Sequence, residues 1–263
     1  MKGLLGTIIL ATCLAACTAD CQSGLNGQED GYECKGLKSL KDLSVPVGAS
    51  HIVIDGGSID KITTGSFTKY GDSLVRLNIS RCGVETIERD AFKRLYKLEM
   101  LALPNNKIRK IDASWISGLP NLKELIMWGN RIVEIDANIY DILLELEVLD
   151  ISDNQLTACL EANTLQKLEK LRKIFLGYNP WSYRCRFLMT WYLDSNRIRS
   201  IRDWSDLSDM SIEDCLAHEA GAEQNDNILI DCVDQKVASM RPMVARNNPN
   251  LKIDRAMGKE SKL

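Results

Sequence analysis

Between residues 49 and 181 the apolar positions follow one frame that recurs every 24 or 25 residues. Leu98, Leu101, Leu103 and Ile108 fill relative positions 1, 4, 6 and 11, and Asn106 stands at position 9. The frame returns as Leu122, Leu125, Met127, Asn130 and Ile132, and again as Leu146, Leu149, Ile151, Asn154 and Leu156. Upstream it is carried by Leu74, Leu77, Ile79, Cys82 and Val84, and more weakly by Ala49, Ile52, Ile54, Gly57 and Ile59. Downstream it runs through Leu171, Ile174, Leu176, Asn179 and Trp181. Positions 4 and 6 alternate with polar neighbours, which predicts a short half-buried strand in each copy. A second apolar column repeats in the other half of the unit: Phe92, Ile116, Tyr140 and Leu165, then Leu95, Leu119, Leu143 and Leu168. Phe67 breaks the spacing by one residue, which places an insertion near Tyr70 and Gly71.

A fixed period of this length describes one supersecondary unit stacked on copies of itself. No single unit buries its own apolar side, so the strands must pair in parallel along the stack. Asn106, Asn130, Asn154 and Asn179 are expected to form a ladder whose amides satisfy the backbone of buried turns. The frame L-x-x-L-x-L-x-x-N/C-x-L resembles that of extracellular leucine-rich repeat proteins. The resemblance covers residues 49–181 and implies an α/β solenoid. That fold is a leucine-rich repeat horseshoe with a parallel concave β-sheet and disulfide caps at both ends. The domain organisation expected is a signal peptide at 1–19, an N-terminal cap at 20–48, about six repeats at 49–181, a C-terminal cap at 182–232 and a polar tail at 233–263.

The signal peptide rests on Lys2, the apolar run at 4–16 and small residues before a cut after Ala19. A second reading of the same stretch is a bacterial lipoprotein box, Leu14-Ala15-Ala16-Cys17, with Cys17 lipidated. The final Ser261-Lys262-Leu263 matches a peroxisomal address, which entry into the secretory route would leave unread. No second apolar run has membrane length, so a secreted, extracellular product with no membrane span is expected. The full chain has 33 basic and 36 acidic residues; without Lys2 the balance is 32 against 36, or −4. That sign argues against a general nucleic-acid binder.

Nine cysteines less Cys13 and Cys17 leave seven. The resemblance implies a reduced N-terminal cap closed by Cys21 and Cys34. It also implies that Asn179-Pro180-Trp181 opens the C-terminal cap. The family pattern there continues W-x-C-x-C; in this chain Tyr183 stands at the first cysteine place and Cys185 at the second. Cys215 and Cys232 match the downstream pair. The family's second-to-fourth pairing implies Cys185–Cys232. Cys215 would then be left for Cys159 or for another chain, giving a possible disulfide-linked oligomer through Cys159 or Cys215. Cys82 falls at an inward position and is expected as a buried free thiol. Residues 187–194 read as a short helix laying Phe187, Leu188, Trp191 and Tyr192 over the last repeat.

Positions 2, 3, 5, 7 and 8 face away from the core, onto the concave side. There the middle and late repeats carry Met100, Ala102, Ile126, Trp128, Val148, Asp150, Phe175 and Tyr178. Strands under about 5 Å apart would bring these into one apolar patch, the kind of surface that marks an interaction site. Glu99, Glu124, Glu147, Asp150 and Asp153, with Lys123, Arg172 and Lys173, would form a charged rim. Asn78-Ile79-Ser80 is a glycosylation sequon on the same face. Catalysis finds no support: His51 and His218 are the only histidines, and neither has metal-ligand spacing. No phosphate loop or nucleophile elbow is present, and no cofactor or metal is expected. The chain resembles the repeat portion of secreted invertebrate leucine-rich immune proteins, without their coiled coil. That implies a recognition protein for an extracellular protein or microbial surface ligand, in innate immunity. A matrix or structural interaction protein and a salivary or venom-type effector are the alternative readings.

Overall fold

In a computed structural model the structure describes residues 20–27, 29–201 and 206–247. The expected signal peptide and lipoprotein box at 1–19, and the end of the tail at 248–263 with its peroxisomal-type triplet, lie outside the described residues.

Nine strands form one sheet: β1 (Asp20–Ser23), β2 (Gly31–Leu37), β3 (His51–Gly57), β4 (Arg76–Ser80), β5 (Met100–Ala102), β6 (Glu124–Ile126), β7 (Val148–Asp150), β8 (Lys173–Phe175) and β9 (Arg199–Ile201). They lie in chain order; only the β1–β2 pair is antiparallel. The parallel register puts Ile52, Leu77, Leu101, Leu125, Leu149 and Ile174 in one row, and all six are buried. This is position 4 of the repeat. The leucine-rich repeat solenoid expected from the frame is therefore the observed fold, with a disulfide in each cap.

The second apolar column closes the core from the convex side. Phe92, Ile116, Tyr140 and Leu165 are buried there, and so are Leu95, Leu119, Leu143 and Leu168. Phe67 stacks on Phe92 at 6.0 Å between ring centroids, and Trp115 meets Phe92 edge-on at 5.9 Å. Such pairs add to area burial. They compensate for the irregular first spacing, where Tyr70 is also fully buried and donates its hydroxyl to Val45 O.

The asparagine ladder is present. Asn106 Oδ1 accepts from the amides of Cys82 and Val84, both at 3.1 Å, while its Nδ2 donates to Ile79 O at 2.8 Å. Asn130, Asn154 and Asn179 repeat the pattern: each amide oxygen takes the position-11 N–H of the repeat before it. Cys82 keeps half of that role. Its thiol lies 3.7 Å from Ile54 O and 3.2 Å from Ser80 O, and burial pushes its pKa up to about 11. The protonated thiol is therefore a weak donor in the place of an amide. Gly57 has a different cause: a Cβ there would sit 2.3 Å from Leu37 O, where β2 closes on the first repeat.

The C-terminal cap departs from the expected one. It is built on α1 (Tyr183–Ser195), α2 (Asp206–His218) and α3 (Asp226–Asn247). Cys185 is buried and bonds Cys159, and Cys215 bonds Cys232. The expected Cys185–Cys232 bond is thus replaced, and the cysteines assigned to an intermolecular link, Cys159 and Cys215, are both consumed within the chain. The reason lies in where the elements run. Cys185, in the first turn of α1, points at the turn after Leu156, with its sulfur 3.8 Å from Thr157 O. Cys232 lies on α3 against α2, in a small separate core of Ile212, Ala222, Leu229, Val233 and Val237. α1 and α3 are linked instead by Tyr183, whose hydroxyl donates to Asp234 Oδ1 at 2.7 Å, and by Arg184, whose Nε donates to Asp226 Oδ1 at 2.7 Å. Cys82 is the one free cysteine among the described residues, and it is buried.

Two further expectations shift. The helix over 187–194 exists within α1, but Met189, Tyr192 and Leu193 face inward, whereas Leu188 and Trp191 are exposed and Phe187 packs against the second core. The stretch after Cys232 does not turn directly into a tail: α3 continues through it and buries Val233 and Val237.

Candidate concave binding face

Two outward rows make the face. One runs His51, Arg76, Met100, Glu124, Val148, Lys173, Arg199; the next runs Val53, Asn78, Ala102, Ile126, Asp150, Phe175, Ile201. The residues expected to form the patch therefore sit on adjacent strands, but they are not equally available. Ala102 and Asp150 are buried, and Met100, Ile126, Val148 and Phe175 are half-buried. Trp128 is 37% exposed and Tyr178 64%.

Some of the patch is covered by its own charges. Arg76 Nη1 lies 3.1 Å from Met100 Sδ, and its Nη2 reaches Glu124 Oε1 at 3.4 Å. The Lys173 ammonium stands 4.5 Å from the centre of the Phe175 ring, a cation–π contact. The rim is self-paired as well, through Lys123–Glu99 at 2.9 Å and Arg172–Glu147. What stays open is the pair of rings Trp128 and Tyr178. Asp150 is not a rim residue: it lies between Ile126 and Phe175 in the row. Burial raises its pKa above the usual carboxylate value, while hydrogen bonds from Ser152 N (3.0 Å) and Ser152 Oγ (2.6 Å) act in the opposite direction.

Tyr178 carries a second signal. Position 8 adopts a left-handed backbone in every repeat, at Gly56, Arg81, Asn105, Gly129, Asp153 and Tyr178, and the tyrosine has φ +57°. Glycine and asparagine take that conformation readily; a bulky ring does not. Tyr178→Asn is expected to stabilise the chain by about 1 kcal/mol by relieving this cost. Urea unfolding measures it, and a destabilised variant would show that the ring is held there by packing instead.

Asn78 sits on β4 between Val53 and Ala102, with its Oδ1 enclosed and without a hydrogen-bond partner. The sequon serine, Ser80, is itself buried and donates to Asp55. One exposed apolar residue of the face was missed in the sequence. Ile201, 47% exposed, extends the row beyond Phe175 because β9 adds a strand after the last repeat. No frame leucine or asparagine announces that strand. Among the described residues no cluster of metal-ligating side chains occurs, and no helix is long and apolar enough to cross a membrane.

Comparison with known proteins agrees with this architecture. The leucine rich repeat family model matches residues 72–132 and 120–180. Nephrocan of Mus musculus is 30% identical over 131 residues, which is 49% of this chain and 24% of nephrocan. Lumican of Coturnix japonica is 24% identical over 196 residues, 72% of this chain and 55% of lumican. Toll-like receptor 7 of Mus musculus is 38% identical over 74 residues, 28% of this chain and 7% of the receptor. The chain thus spans less than two thirds of the length of each of these relatives. A crystal structure of a TLR13–ssRNA13 complex shares the fold at a TM-score of 0.53 and 22% identity, over 60% of this chain and 23% of that one. Frame, parallel ladder and amide ladder together give this chain a leucine-rich repeat fold, and its residues 72–180 match the leucine rich repeat family model.

Proposed function

We propose that this chain is a secreted recognition protein that binds a protein or microbial surface ligand on the late concave face, between Trp128 and Ile201. The observation that carries the reading is Tyr178. It is a large aromatic side chain, mostly exposed, held in a backbone conformation that disfavours it. Strained, exposed residues concentrate at ligand sites, and aromatic anchors dominate protein interfaces. Trp128 is the second exposed ring of the face; half-buried Ile126 shares its repeat, and half-buried Phe175 shares that of Tyr178. Three disulfides suit an oxidising, extracellular setting. A role in innate immunity is supported by the resemblance to secreted leucine-rich immune proteins and by the match to a Toll-like receptor.

The arrangement suits binding rather than catalysis: the face combines exposed aromatic rings with rim charges such as Arg76–Glu124 and Lys123–Glu99 that pair with each other, and position-9 amides are spent on the backbone. The test is affinity capture from body fluid with the mature protein, followed by titration of the captured ligand. Trp128→Ala should raise its Kd about 30-fold, the equivalent of about 2 kcal/mol. A Kd equal to that of the unaltered protein would remove this face from the reading.

A further inference from the structure

An open groove of about 330 Å³ lies away from the concave face, where the N-terminal cap meets the first repeat. Four lysines line it: Lys38 and Lys41 from the cap, Lys61 and Lys69 from the repeat. All four are exposed. Asp60 is the single acidic residue among the lining. Lys61 is shared with Glu88, at 2.6 Å, and Lys69 lies 3.4 Å from Leu43 O. Lys38 and Lys41 make no ion pair among the described residues. Thr63 and Ser66 add two hydroxyls, 3.0 Å apart. Lys93 approaches from the next repeat: its Cε would lie 3.0 Å from a Cβ placed on Gly65. Cation is thus concentrated at one end of a chain whose net charge is −3.

We propose that this groove binds a segment of sulfated polysaccharide. Its volume lies at the lower end of the range for small-ligand sites, about 300–1,000 Å³, enough for a short stretch of a chain that continues beyond it. The lining cations are all lysines. An ammonium is a compact point charge that does not require the planar, two-pronged partner an arginine selects. Charges placed on both walls suit a ligand with several spaced anionic groups, and the hydroxyls can meet its sulfates or hydroxyls. The disulfides suit a setting where such polysaccharides occur. This site shares only that extracellular setting with the concave face, so either can fail alone.

The experiment uses the mature protein with a heparin hexasaccharide, its desulfated counterpart and an oligodeoxynucleotide of matched charge, in about 0.15 M salt, the physiological strength. Lys38→Glu with Lys41→Glu removes the two unpaired cations, and thermal unfolding checks that the pair leaves the fold intact. Lys107→Glu with Arg131→Glu is the control; both residues are exposed and outside any ion pair among the described residues. The hexasaccharide is expected to bind, with affinity falling steeply as salt rises. The first pair should weaken it at least tenfold and the control less than twofold. Three results overturn the site: no binding of the hexasaccharide, equal losses from both pairs, or equal binding of the desulfated sugar or the oligonucleotide.

Discussion

Asn106→Ala is expected to destabilise the chain by about 4 kcal/mol, the largest effect of any polar substitution in the array. Two buried amides, those of Cys82 and Val84, donate to its Oδ1. Both residues are at most 1% exposed, so water cannot replace the lost acceptor. Each stranded N–H costs about 1–3 kcal/mol. The donated bonds to Ile79 O and Leu103 O are lost as well, although Leu103 O keeps Asn130 Nδ2 at 2.9 Å. Asn130→Ala should cost less, about 3 kcal/mol, because a single amide, that of Ile108, depends on its Oδ1. Urea unfolding of the two variants side by side measures the order. Equal losses would mean that the doubled acceptor role of Asn106 carries no extra weight.

Removing the Cys159–Cys185 bond, by serine at both positions, is expected to cost about 3.5 kcal/mol. The bond closes a loop with a sequence separation of 26, and the unfolded chain regains that freedom. A second consequence is specific to a solenoid. The bond ties α1 to the end of the array, where Trp181, Met189, Tyr192 and Leu193 are buried. A loosened cap uncovers the last repeat, and an exposed apolar end of a repeat stack promotes association. The variant should therefore lose Tm and scatter light on heating. The Cys215–Cys232 bond closes the separate α2–α3 core, so its serine variant should lose stability without that scattering. A Tm for the Cys159/Cys185 variant matching the unaltered protein would refute the assignment of this bond to the cap.

The match between expectation and structure differs by element. Inward positions were legible because a parallel stack demands the same residue type at the same place in every unit: Leu101, Leu125 and Leu149 have no alternative environment. The concave rows were legible for the same reason, since every second residue of a paired strand faces out. Exposure within those rows was not. Whether Met100 or Phe175 is open depends on where Arg76 and Lys173 place their flexible side chains, and no spacing rule encodes that. The cap was misread at Cys185 because a family pairing was carried over a pattern already missing one cysteine. The tyrosine in that cysteine's place makes a hydrogen bond to α3, the helix that carries Cys232.

By itself the sequence determined the period, the inward frame, the asparagine ladder and the outward set that includes Trp128 and Tyr178. These are local or nearest-neighbour properties, and a repeat makes each copy report on the next. Tertiary structure alone decided the cysteine pairing, the extra strand at Ile201, the covered state of Met100 and Phe175, and the meeting of four lysines at one groove. Each of those brings together groups whose distance is set by how cap and repeats pack, not by their separation along the chain.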